Sequence, residues 1–166
     1  MLRETPITEL ILRRYERPQN LTKRELVRKF CLSLGLLQPG DGRDVVVDVL
    51  YVLLEAAGKA AERLSSEEIC ARVSKLRQVH NLKLAGCAPS NIRRQLKRLR
   101  AALIIEKTKA SYRLTEGLPL SELIAEKIEG QKLAAVLSRL REYAIALDGA
   151  FELNRRAPDQ NGNKAL

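Results

Sequence analysis

The sequence predicts a mainly α fold with one short β-hairpin, built as a central domain with helical extensions on both sides. Three observations carry this. Capping boxes mark helix starts at Thr22 and Ser65, each with a glutamate three residues on. Val45 to Leu54 is apolar at nearly every position, the mark of a helix buried nearly all round. Ile104 to Leu114 reads as two short strands about a polar turn.

The elements follow in order. Thr5 and Pro6 suit a helix start, cap and first turn, and that helix should run to about Arg17, before Pro18. Thr22 opens a second helix, which Gly35 ends. Gln38 to Gly42 is a turn or linker. Asp44 or Asp41 should cap a third helix from Val45 to about Ala57, covered by the N-terminal helices on one side and the middle domain on the other. The β-branched run there also admits a strand reading. After Ser65 comes a helix whose stripe is Ile69, Cys70, Val73 and Leu76. A polar connector spans His80 to Ala88. Pro89 opens a helix with an inner stripe of Ile92, Leu96, Leu99 and Leu103, and the hairpin follows. Ser121 should cap a segment ending near Gly130. A longer helix then runs to about Asn154. Its leucines Leu133, Leu140 and Leu147 are seven apart, with Leu137, Ala144 and Phe151 on the same seam. Residues 155–166 have the composition of a disordered tail. The expected divisions are 1–40, 41–117, 118–154 and 155–166.

The charge of the 166-residue chain is unevenly placed. Its net +10 comes from 11 Lys/Arg and 9 Asp/Glu in residues 1–65, 12 and 3 in 66–114, and 7 and 8 in 115–166. Nearly all the excess lies in the middle third, which points to an anionic polymer or membrane surface as partner. No run of apolar residues is long enough for a transmembrane helix, and the N-terminus lacks the apolar core of a signal peptide, so no membrane association and a cytoplasmic location are expected. The cysteines, Cys31, Cys70 and Cys87, are widely spaced and odd in number, which fits free thiols better than a zinc site. With one histidine, His80, no Gly-rich phosphate loop and no nucleophile–base set, neither an enzyme nor a cofactor is expected.

On a helical wheel the stripe from Ile92 to Leu103 falls within about 60°. Ser90, Arg94, Lys97 and Ala101 point the other way, with Arg93 and Arg98 on the flanks. Between Pro89 and Glu106 stand five Lys/Arg and no carboxylate. A solvated helix usually mixes signs through i,i+4 pairs. A helix apolar inside and basic outside suits the major groove, with Arg94 and Lys97 reaching base edges and Ser90 and Asn91 meeting a phosphate or base at the N-terminus. Lys107, Lys109 and Arg113 charge the hairpin.

The order helix, helix, turn, helix, hairpin over 44–114 resembles the winged helix-turn-helix domains of transcription regulators of prokaryotes, archaea among them. The resemblance rests on Leu64-Ser65-Ser66-Glu67-Glu68-Ile69, on Pro89-Ser90-Asn91-Ile92-Arg93-Arg94-Gln95-Leu96-Lys97-Arg98-Leu99 followed by Leu103-Ile104, and on Tyr112-Arg113-Leu114-Thr115. It covers about 70 of 166 residues. It implies that 89–103 is a recognition helix and 104–114 a wing, bound to the DNA backbone or minor groove. The connector from Gln78 to Ala88 departs from that family's turn of about 3–4 residues.

The resulting expectation is a sequence-specific, double-stranded-DNA-binding transcription regulator, a homodimer through Leu133, Leu137, Leu140, Ala144, Leu147 and Phe151. Its DNA-binding residues would be Ser90, Asn91, Arg93, Arg94, Lys97, Arg98, Lys107, Lys109 and Arg113, neutralising about seven phosphates per protomer. The alternative is a winged-helix adaptor in a replication, segregation or transcription complex. RNA has less support, since Tyr112 is the one aromatic residue by the basic patch.

Overall fold

The computed structural model describes residues 4–60 and 62–153. The elements are α1 (Lys23–Ser33), α2 (Val45–Ala60), β1 (Leu64–Ser65), α3 (Ser66–Val79), α4 (Pro89–Ala101), β2 (Ile105–Thr108), β3 (Ser111–Leu114), a 3₁₀ turn (Thr115–Gly117), α5 (Leu120–Leu123), a π-helical stretch (Ile124–Leu133) and α6 (Ala134–Ala150). The protein is therefore mainly helical, with a small antiparallel sheet in the order β1-β3-β2.

Helix α2 is the axle of the fold. Val46, Val47, Val49, Leu50 and Leu53 are all within 1% of full burial, so the helix has almost no solvent side. Helix α1 covers one flank of α2; α3, α4 and β3 cover the rest. This is the sandwiching expected from its all-round apolar composition, and no strand forms there. The same core takes in Val27, Cys31 and Leu32 of α1, Leu64 of β1, Ile69 and Val73 of α3, and Ile92, Leu96 and Leu99 of α4.

Both capping boxes form. The Thr22 amide donates to Glu25 Oε2 at 2.7 Å and the Glu25 amide to Thr22 Oγ1 at 3.3 Å. Ser65 and Glu68 repeat the exchange at 2.7 and 3.2 Å. These bonds from the cap amides and hydroxyls hold both glutamates below the usual carboxylate range. Gly35, at φ +67°, follows the end of α1 as expected.

Residues 5–17 do not form the expected helix; they run without regular structure along α1. The reason is tertiary. Arg13 completes the carbonyls left over at the end of α1. Its amide donates to Ser33 O at 2.8 Å, and its guanidinium to Leu32 O, Leu37 O and Gln38 Oε1 at 2.9, 3.3 and 2.7 Å. Ile11 meanwhile lies over Gly35, where an added Cβ would come within 2.7 Å of it. The N-terminal extension thus contributes one helix, not two.

Further expectations are refined or corrected. Asp44 directly precedes α2, as expected of its cap, but its carboxylate accepts from arginines, and that of Asp41 accepts from the Arg43 amide. Leu103 leaves the inner stripe of α4, because the helix ends at Ala101 and Leu103 turns the chain at φ +62°. Ile104, fully buried, takes its place in the core. At the C-terminal side Pro119, not Ser121, occupies the cap position. The chain is then helical from Leu120 to Ala150, with no break at Gly130. A helical glycine costs only about 1 kcal/mol relative to alanine; Leu123 and Ile128, both buried, hold the segment down on either side of the turn before it. Helix α6 stops at Ala150, short of Asn154, and the expected tail at 155–166 lies outside the described residues. Strand β1 is an addition: its two residues, Leu64 and Ser65, pair with Tyr112 and Ser111.

No helix among the described residues is long and apolar enough to cross a membrane.

Candidate nucleic-acid interface

Helix α4 buries Ile92, Gln95, Leu96 and Leu99 and turns its other side outward. Ser90, Arg93, Arg94, Lys97, Arg98, Arg100 and Ala101 are exposed, and Asn91 is half-buried. Pro89 opens the helix with no side-chain cap at Ala88. Leu103 O accepts from Thr115 Oγ1 at 2.8 Å, joining the far end of the hairpin to the end of α4. In the hairpin, Ile105 faces Leu114 and Thr108 faces Ser111, with Lys109 at φ +57° in the turn.

The expected site residues divide into two groups. Arg94 and Lys97 stand outward, as the wheel predicts. Arg94 makes only a 3.1 Å bond to Asn91 Oδ1 one turn back, and Lys97 has no ion-pair partner among the described residues. Arg93 has Glu67 3.7 Å away, with both side chains more than half exposed, a pair worth little in water. Lys109 is exposed at the hairpin tip. Lys107 lies over the Tyr112 ring, 5.5 Å from its centroid. Ser90 is exposed in the first turn of α4.

The second group is held by the fold. Arg98 donates to Leu36 O at 2.6 Å and to Gln95 Oε1 at 2.9 Å, tying α4 to the chain after α1. Arg113 pairs with Glu106 across the hairpin at 2.6 Å, and this bond holds the Glu106 carboxyl below its usual range. Asn91 donates to Gly86 O at 2.7 Å and accepts from Arg94 and Gln95 at 3.1 Å, so its amide is a joint between connector and helix. Arg100, absent from the expected set, is exposed on the last turn of α4 without an ion-pair partner among the described residues. It belongs to the same acid-free run, which was the signal for it.

The connector His80–Ala88 is not an extension of α3, which ends at Val79. It is folded onto the domain. Cys70 Sγ contacts Cys87 O at 3.4 Å, and Arg77 Nε donates to Lys83 O at 2.7 Å. Gly86 sits at φ +88°, and a Cβ there would meet Val45 Cγ2 at 2.9 Å. The loop can therefore press onto the start of α2 only with glycine at that position.

Beneath it lies a buried ionic cluster that sequence reasoning missed. Asp48, with no exposed surface, accepts from Arg24 at 2.8 and 3.2 Å and from Arg77 Nη1. Asp44 accepts from Arg24 at 2.8 Å, Arg28 at 2.9 Å and Arg77 at 3.1 Å. Burial works against the Asp44 carboxylate, but the bonds from Arg24 and Arg77 outweigh it and hold its pKa below the usual range. The cluster joins α1, α2, α3 and, through Lys83 O, the connector. Arg77 follows Val73 at helical spacing on a buried stripe, and that position was the available hint.

The thiols are unpaired. Burial pushes Cys31 up to about 12, so it stays protonated at neutral pH.

The seam residues of the C-terminal helix have a distinct setting. Leu133 is half-buried at the end of the π-helical stretch, whereas Leu137, Leu140, Ala144, Leu147 and Phe151 are exposed and α6 buries nothing. No protein-family model, curated protein or solved structure matches the chain.

Proposed function

We propose that the chain is a double-stranded-DNA-binding protein of winged helix-turn-helix type, acting as a dimeric transcription regulator. One observation carries the reading: the outward side of α4 presents Arg93, Arg94, Lys97 and Arg100, and among the described residues only Arg93 has a carboxylate within 4.0 Å. On this reading α4 enters the major groove, with Arg94 and Lys97 at base edges, and the β2–β3 hairpin rests on the backbone or minor groove. Lys107 and Lys109 supply its charge. The three-helix core with an antiparallel hairpin is compatible with that architecture. Arg98, Arg113 and Asn91 support the surface from within.

The dimer part of the proposal rests on α6. Leu140, Tyr143, Leu147 and Phe151 are 55–71% exposed on one chain. An apolar helix face of that kind gains by pairing with a second copy, and a twofold pair would present two α4 helices to a palindromic site.

The test is fluorescence anisotropy on duplex DNA at several salt concentrations. Six exposed cations per protomer (Arg93, whose pair with Glu67 is solvent-exposed, with Arg94, Lys97, Arg100, Lys107 and Lys109) give a log–log slope of about −5 per protomer, or roughly 10³ in affinity over a fourfold salt change. Selection from random duplexes then reports whether bound sites are palindromic. If Arg94→Glu with Lys97→Glu leaves DNA binding intact, the DNA reading fails and the adaptor reading takes its place.

A further inference from the structure

A second candidate site lies away from α4. The N-terminal segment, α1, the C-terminal half of α2 and the start of α5 enclose an open cavity of about 790 Å³. That is within the range of cavities that hold small organic molecules, about 300–1,000 Å³. Its walls are Leu26, Val27, Phe30, Leu54 and Leu120, with the Tyr15 and Tyr51 rings. Leu26 is 42% exposed, an apolar side chain facing solvent across this space.

The polar groups around the cavity are unequal in their commitments. Lys29 is fixed by Glu16 at 2.5 Å and lies 4.8 Å above the Tyr15 ring. Lys23, in the first turn of α1, and Lys59, in the last turn of α2, also line the cavity and are exposed. Neither has a carboxylate within ion-pair distance among the described residues, and neither Tyr15 nor Tyr51 hydroxyl has a hydrogen-bond partner there. Glu55 is the remaining acid on the lining. Donors without partners thus border an apolar interior, and cations outnumber acids.

We propose that this cavity binds an amphipathic organic carboxylate, its aliphatic or aromatic body on Leu26, Phe30, Leu54 and Leu120 and its carboxylate at Lys23 and Lys59. Charge complementarity sets the sign of the head group, and the apolar walls require a body of several carbons. The site stands independently of DNA binding.

The experiment is calorimetric titration of the whole protein with decanoate, beside 1-decanol and decyltrimethylammonium as neutral and cationic probes of equal chain length. Decanoate is expected to saturate at one per chain and to raise the melting temperature. Lys23→Gln with Lys59→Gln should weaken it about tenfold, the effect of 1.4 kcal/mol. Gly58 gives a second handle: it lines the cavity on α2, and a Cβ there meets nothing within 4 Å. Gly58→Phe should fill the space and abolish binding, while Gly58→Ala keeps it. Absence of saturable decanoate binding overturns the proposal, as do equal affinities for the three head groups or undiminished binding by Gly58→Phe. If decanoate fails to bind and Gly58→Phe instead changes the sedimentation of the protein, the groove belongs to a second copy of the chain and the proposal falls.

Discussion

Replacing Asp48 with asparagine removes one of two carboxylates that serve three buried or half-buried guanidiniums. Asp48 has no exposed surface and Arg77 is 5% exposed, so water cannot replace what is lost. The cluster already holds one cation more than it has anions, and Asp48→Asn doubles that excess. Breaking a buried pair in this way costs about 3–5 kcal/mol. For a domain stable by roughly 5–15 kcal/mol this is a large fraction of the total. In urea, with a slope of about 2 kcal/mol per M, the midpoint should fall by roughly 2 M at unchanged slope. The paired control is Arg24→Met, Asp48→Leu and Arg77→Met together, which removes charges of both signs and should cost less than the single change. A loss under about 1 kcal/mol for Asp48→Asn, with the slope unchanged, would show that the cluster does not hold α1, α2 and α3 together.

Other outcomes follow from the same geometry. Lys97→Ala or Lys109→Ala should reduce the salt slope of DNA binding by about 1 each, whereas Arg113→Ala should leave it nearly unaltered, since Glu106 already neutralises that charge; anisotropy titrations separate these. Gly86→Ala should destabilise by more than about 1 kcal/mol and raise amide exchange across 80–88, because both its φ and the Val45 contact exclude a side chain. Stability should fall on acidification. The Asp44 pKa is lowered in the folded state, so its contribution is fully present above the unfolded value of about 3.9 and is lost as pH drops through the folded one; circular dichroism melts between pH 7 and 2 test this. Leu140→Asp with Leu147→Asp should abolish self-association in sedimentation without lowering the stability of the single chain, since neither side chain is buried in it.

What the sequence disclosed was what is local. The two capping boxes involve atoms three residues apart, and both formed. The apolar circumference of Val45 to Leu54 required burial on every side whatever the partners were. The N-terminal segment misled because Thr5 and Pro6 form a good local start signal and Pro18 a stop, while the deciding bonds, from Arg13 to carbonyls 19 and 24 residues away, leave no local trace. The basic patch was legible as a charge excess but not as a list of available cations. Arg98 looks like its neighbours until Leu36 O, 62 residues away, is brought beside it, and the stripe position of Arg77 hints at burial without naming Asp44, 33 residues away, as its partner.

The π-helical stretch between Ile124 and Leu133 has a consequence for the geometry of any pair of chains. Leu123 just before it and Ile128 within it clamp the helix to the core; beyond it, α6 stands clear with its leucines facing outward. Residues in that stretch are wound wider than in the α-helices on either side, so it sets the phase between the two. Deleting one residue within it would turn α6 about its own axis by somewhat less than the α-helical step of about 100°. The apolar seam would then point in a new direction while the core stayed as it is, and two paired copies would present their α4 helices at an altered angle and spacing.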